Sequence, residues 1–103
     1  MLDNLFGNLE EHQEELQEKL GGIELESSVM DRAVVVKANA RREILDIKID
    51  PDKIDPNDVE QLEDLLVNCL NDVIRMATEA ESSESEKLIS KIMPPGLGGL
   101  FGK

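Results

Sequence analysis

The stretch Val34–Asp50, "VVVKANARREILDIKID", sets Arg41 and Arg42 side by side between two β-prone runs, with Arg32, Lys37 and Lys48 close by. Guanidinium and ammonium groups gathered at one tip of a chain can position phosphates, the contact that gives proteins a sequence-independent hold on nucleic acid. The same groups can instead pair with carboxylates across strands or keep a tight turn and an edge soluble. The choice matters because the chain as a whole carries a formal net charge of −12. Residues 1–31 hold nine acids and one base, net −8, and residues 50–86 hold twelve acids and two bases, net −10. Only two segments are positive: residues 32–49, with five bases and two acids, and residues 87–103, with three bases and no acid.

Other chemistry-bearing residues point to structure. Asp50, Asp52, Asp55 and Asp58 lack the central glycine and terminal glutamate of a calcium loop, and two prolines with a helix cap account for them. His12, the only histidine, stands beside Glu11 and Glu15 without a nucleophile or ligand set around it. Cys69 is the only cysteine, so it has no disulfide partner, and on an apolar stripe it behaves as a small hydrophobe. The glycines fall at Gly21-Gly22 and in the tail, not between a strand and a helix where a phosphate loop would need them. The expectation is no enzyme, no metal, no cofactor and no small-molecule substrate.

Composition narrows the partners. Phe6 and Phe101 are the only aromatic residues, which argues against stacking on single-stranded bases. No run approaches the roughly 18 apolar residues of a membrane span, and acids stand where a signal peptide would carry bases. A cytoplasmic protein without membrane contact is expected.

The elements that must position these residues follow from hydrophobic period. Leu2, Leu5, Phe6, Leu9, Leu16 and Leu20 trace one helical stripe over residues 1–20, with a nearly all-acidic opposite face and a Gly21-Gly22 stop. From Ile23 to Asp50 the period becomes two, in three short strands joined at "MDR" and "ARRE", turns without glycine. Asp55 as N-cap and Pro56 at the first helical position predict a long helix over 56–93, open to a break near 82–86 at "ESSESE". "PPGLGGLFGK", residues 94–103, reads as a flexible tail.

The fold class is therefore α+β, a single domain over 1–93 in the order α-β-β-β-α. A three-stranded antiparallel meander packs on the long helix in two layers. One sheet face and one helix make a thin core for 103 residues, so a homodimer is expected. Its interface is expected on the long helix at Leu62, Leu66, Cys69 and Val73.

Three markers in this order resemble the YbaB/EbfC family of small bacterial nucleoid-associated proteins over almost the whole chain. They are the strand running into Ile49-Asp50-Pro51, the helix segment Leu62–Ala77 with Asn71-Asp72, and the Met93-Pro94-Pro95-Gly96 ending. The resemblance implies an α-β3-α fold, intertwined homodimers and DNA binding with relaxed sequence preference. The chain departs from the family pattern at its glycine-free hairpins, "SSVMDRA" and "ANARRE", and in a first helix whose only base is Lys19.

Together, pattern and resemblance predict a nucleoid-associated homodimer that holds double-stranded DNA weakly through phosphates. The residues expected to touch it are Arg32, Lys37, Arg41 and Arg42, with Lys87 and Lys91 from the C-terminal end. The alternative is a homodimeric interaction module whose acidic helices dock recombination or replication proteins, with little or no DNA binding.

Overall fold

The structure is a computed structural model that describes the backbone of residues 2–92 and the side chains of residues 10–91. Its order is α1 (Leu2–Gly21), β1 (Glu24–Val29), β2 (Val34–Asn39), β3 (Ile44–Ile49) and α2 (Val59–Ile92). The expected α+β meander is what forms. The side chains of Leu2, Leu5, Phe6 and Leu9, and the tail over 94–103, lie outside the described residues.

The strands make one antiparallel sheet in sequence order. Register assigns the faces, since residues directly opposite one another share a side. Leu25, Ser27 and Val29 stand opposite Ala38, Val36 and Val34, which in turn face Ile44, Ile47 and Ile49. A bulge between Lys37 and Ala38 leaves Leu45 as the extra residue of β3.

On this apolar face α2 lies over β1 and β2. Val34, Val36 and Ala38 meet Cys69 and Val73, and Leu62, Leu65, Leu66 and Leu70 close the edges half-buried. Each fully buried valine contributes about 1.5–3 kcal/mol through removal from water. Cys69 donates its S–H to the Ser27 carbonyl at 3.1 Å, so the only thiol is both packed and satisfied.

The start of α2 differs from the sequence expectation by one turn. Asp55 caps a separate turn, accepting from the Asn57 and Asp58 amides at 2.9 Å each. Asp58 then caps the helix proper through its side chain to the Gln61 amide, 3.0 Å. Pro56 therefore sits in the turn, and α2 begins at Val59. From there it continues through Ser82–Ser85 without a break, 34 residues and about 51 Å at 1.5 Å per residue. The weak helix formers Ser82, Ser83 and Ser85 are carried by flanking alanine and glutamate, and α1 packs antiparallel along this half. The result is an arm that extends the molecule to 64 Å along its long axis.

Candidate nucleic-acid interface

The β2–β3 turn that carries Arg41 and Arg42 is built by Asn39. Its side-chain oxygen accepts from the Arg41 amide at 2.9 Å and the Glu43 amide at 3.2 Å, while its Nδ2 donates to Glu43 Oε1 at 2.6 Å. This asparagine supplies the local turn chemistry that a glycine pair would otherwise supply. Arg42 takes a positive φ of 67°. The Ala40 amide donates to the carbonyls of Leu20 and Ile23, both 3.1 Å, so the turn is docked on the end of α1.

The two arginines then diverge. Arg41 lies against Gly21, with its guanidinium where a β-carbon on Gly21 would stand, and its Nε is 3.4 Å from Glu43. Arg42 reaches across to α2, donating from Nη2 to Thr78 Oγ1 at 3.1 Å and Glu81 Oε1 at 2.9 Å.

The remaining expected DNA contacts are distributed along the molecule. Arg32, in the β1–β2 turn where Met30, Asp31 and Arg32 all have positive φ, pairs with Glu26 at 3.1 Å. Lys87 lies 3.2 Å from Glu84 and Lys91 lies 4.0 Å from Glu15, both on the arm. Glu84 also takes Lys19 at 2.8 Å, and hydrogen bonds from these two lysines hold its carboxyl below the usual range. Lys37 stands alone among the six: among the described residues no carboxylate oxygen lies within 4.0 Å of its Nζ, although register sets it between Glu26 and Asp46. Five of the six hold a carboxylate of their own, and Arg42 and Lys87 bind Glu81 and Glu84, which stand one turn apart on α2.

The four residues expected to face a second copy have a different position. Cys69 and Val73 are wholly buried, with Leu62 and Leu66 packed beside them, in the chain's own core. The physical reason is that this stripe of α2 already finds β1 and β2 within one chain. Apart from Met30, Leu45, Val59 and Ile89, which are exposed at other places, apolar surface is left open on β3, where Ile44, Ile47 and Ile49 are 39–43% exposed on the face that α2 covers elsewhere. Val67 and Ile74 of α2, 56% and 40% exposed, continue it. They share a stripe with Thr78, the residue Arg42 reaches, which puts them on the β3 side of the helix. Sequence reasoning missed this surface because Leu45, Ile47 and Ile49 alternate like any sheet-core residues; the bulge replaces Leu45 with Ile44 on this face, and the offset of α2 toward β1 exposes it.

Among the described residues no cluster of three or more His, Cys, Asp or Glu could hold a metal ion, and no helix is long and apolar enough to cross a membrane.

Comparison with known proteins agrees with this architecture. An uncharacterized Helicobacter pylori protein of known crystal structure superposes with a TM-score of 0.76 at 23% identity, over 85% of this chain and 92% of that one, which shows the shared fold. A nucleoid-associated protein of Clostridium novyi is 36% identical over 99 residues, covering 93% of this chain and 87% of its own length. One from Moorella thermoacetica is 41% identical over 81 residues, covering 79% and 78%. The family model of the YbaB/EbfC DNA-binding family matches residues 1–92. With its helix, meander and long helix in the matching order, the chain belongs to the YbaB/EbfC DNA-binding family.

Proposed function

We propose that this protein is a non-enzymatic, nucleoid-associated homodimer that binds double-stranded DNA weakly and without sequence preference, through phosphate contacts. The observation that carries the reading is the family match over residues 1–92, with relatives named as nucleoid-associated proteins. The contacts are Arg32, Lys37, Arg41 and Arg42 with Lys87 and Lys91. The ion pairs of Arg32, Arg41, Arg42 and Lys91 are at least partly exposed, of a kind worth about 0–1 kcal/mol, so a phosphate can replace a carboxylate there at small cost, and Lys37 has no pair to release. Two copies meet through Ile44, Ile47, Ile49, Val67 and Ile74, which removes from water the apolar surface one chain leaves exposed. A net charge of −12 keeps affinity low, in the micromolar range or weaker that purely electrostatic binding gives.

The test is fluorescence anisotropy with a random-sequence duplex of about 30 base pairs at 50 and 200 mM salt. Binding at low salt that falls steeply at high salt is expected. Absence of binding at 50 mM salt removes the reading and turns the search to proteins.

A second reading has its own support. Glu10, Glu14 and Glu18 line one side of α1, exposed and without a counter-ion within 4.0 Å among the described residues. A homodimer docking basic regions of recombination or replication proteins on these helices would use that surface and would need no DNA.

A further inference from the structure

Of the ten bases among the described residues, eight lie within 4.0 Å of a carboxylate oxygen: Lys19, Arg32, Arg41, Arg42, Lys53, Arg75, Lys87 and Lys91. The two that do not are Lys37 and Lys48, and the fold puts both on one surface. Val35 pairs with Lys48 and Lys37 with Asp46, so the two lysines are diagonal neighbours on adjacent strands, about 7–8 Å apart at their base. That separation is comparable to the distance between neighbouring phosphates on one DNA strand. Their side of the sheet is opposite to Val34, Val36 and Ala38, the face covered by α2.

We infer that Lys37, half-buried, and Lys48, exposed, on the face of the sheet away from α2, are the principal phosphate-contacting pair, with Lys48 a binding residue not expected from the hairpin tip. The inference rests on the DNA reading above and specifies where on the chain the backbone lies.

The charges on this face decide how closely a phosphate can approach. It carries Lys37 and Lys48 with Glu24, Glu26 and Asp46, and Arg32 from the adjoining turn binds Glu26 at 3.1 Å. With Glu43, which Asn39 holds on this side and which pairs with Arg41, the positive and negative groups balance on this face within a chain of net charge −12. A polyanion is repelled least where the local field is weakest, and exposed charges farther than the Debye length of about 8 Å are screened at physiological salt. The lysine ammoniums give up no ion pair to bind, unlike Arg42, whose guanidinium would have to release Glu81 and Thr78. Alternation along β3 also separates the two roles: Ile44, Ile47 and Ile49 point to the helix side, Asp46 and Lys48 to the other. Association through the isoleucines therefore leaves the lysines open.

The experiment compares full-length wild type, Lys37→Gln/Lys48→Gln, Arg41→Gln/Arg42→Gln and Asp46→Asn by anisotropy on the same duplex, across 50–200 mM salt. The lysine pair variant is expected to bind weakest, with the slope of log affinity against log salt flatter by about one for each lysine removed. The arginine pair variant loses less of the slope and of the affinity than the lysine pair variant. Asp46→Asn binds more tightly than wild type, a gain that loss of folding cannot produce. If wild type binds and the lysine variant matches it in affinity and slope, the lysine assignment falls while the DNA reading stands. If wild type does not bind, both fall.

Discussion

The Ser27 hydroxyl on β1 donates to Asp72 Oδ2 on α2 at 2.7 Å, a hydrogen bond between residues 45 apart that fixes the helix against the sheet. Ser27 is almost wholly buried on a face otherwise lined by apolar groups, so its hydroxyl needs this acceptor. Arg75 holds the other carboxylate oxygen from one turn along the helix. The Ser27 bond first, and Arg75 second, keep the Asp72 pKa below its ordinary value.

A carboxylate whose pKa is lower in the folded state stabilises the fold above its unfolded pKa. Part of the stability should therefore be lost as pH falls from about 4, the ordinary carboxylate value, through the lower native one. Ser27→Ala should move the Asp72 titration upward, lower the melting temperature at pH 7 by about 5 °C, and reduce the acid-dependent loss. NMR titration of the carboxylate with thermal melts at pH 3 and pH 7 checks all three. An unshifted Asp72 titration would contradict the assignment.

Arg42 combines a left-handed backbone with a side chain that ties the β2–β3 turn to Thr78 and Glu81. Arg42→Ala removes the tie and keeps the backbone cost, and should destabilise by about 1 kcal/mol. Arg42→Gly removes both and should be the more stable of the two. Urea unfolding distinguishes them, and the reverse order would mean that the left-handed backbone at this position costs little.

The β1–β2 turn places three successive non-glycine residues at positive φ, and Asp31 among them projects its side chain into solvent. Asp31→Gly should stabilise by about 0.5–1 kcal/mol, since it relieves the backbone conformation and gives up only a long, solvent-exposed contact with Lys53 at 3.9 Å. The Asp31 carbonyl that accepts from Lys53 at 2.8 Å is retained. A melting temperature at or below wild type would count against strain in this turn.

Ile47→Glu probes self-association. Sedimentation equilibrium of wild type at micromolar concentration should give about 23 kDa, twice the chain mass of 11.5 kDa. The glutamate variant should sediment as a single chain with unchanged helix content, because Ile47 is already 43% exposed within one chain. A dimer that survives the substitution would place the interface elsewhere.

The order of elements was legible because each segment keeps one hydrophobic period: steps of three and four over Leu16–Leu20 and Leu62–Ala77, steps of two over "ILDIKID". Helix capping was only half legible, since Asp55 and Asp58 are both competent caps and the choice between them depends on the turn that Pro56 closes. The candidate interface was the least legible part. Arg41 and Arg42 adjoin in sequence yet point to different helices, while Lys37 and Lys48, eleven residues apart, share a face through strand pairing. Likewise Cys69 and Val73 followed the helical stripe correctly, but the stripe alone could not reveal that the chain's own sheet would cover them.

The docking of the β2–β3 turn has a mechanical consequence. Ala40 is bonded to the end of α1 and Arg42 to the middle of α2, so one turn grips both rods of the arm where they leave the sheet. The arm is then a lever whose fulcrum lies inside a β-turn. A sideways load on its tip must either break the Ala40 amide bonds or pull β2 and β3 along with it. The exchange rate of that single amide therefore reports the stiffness of the whole joint.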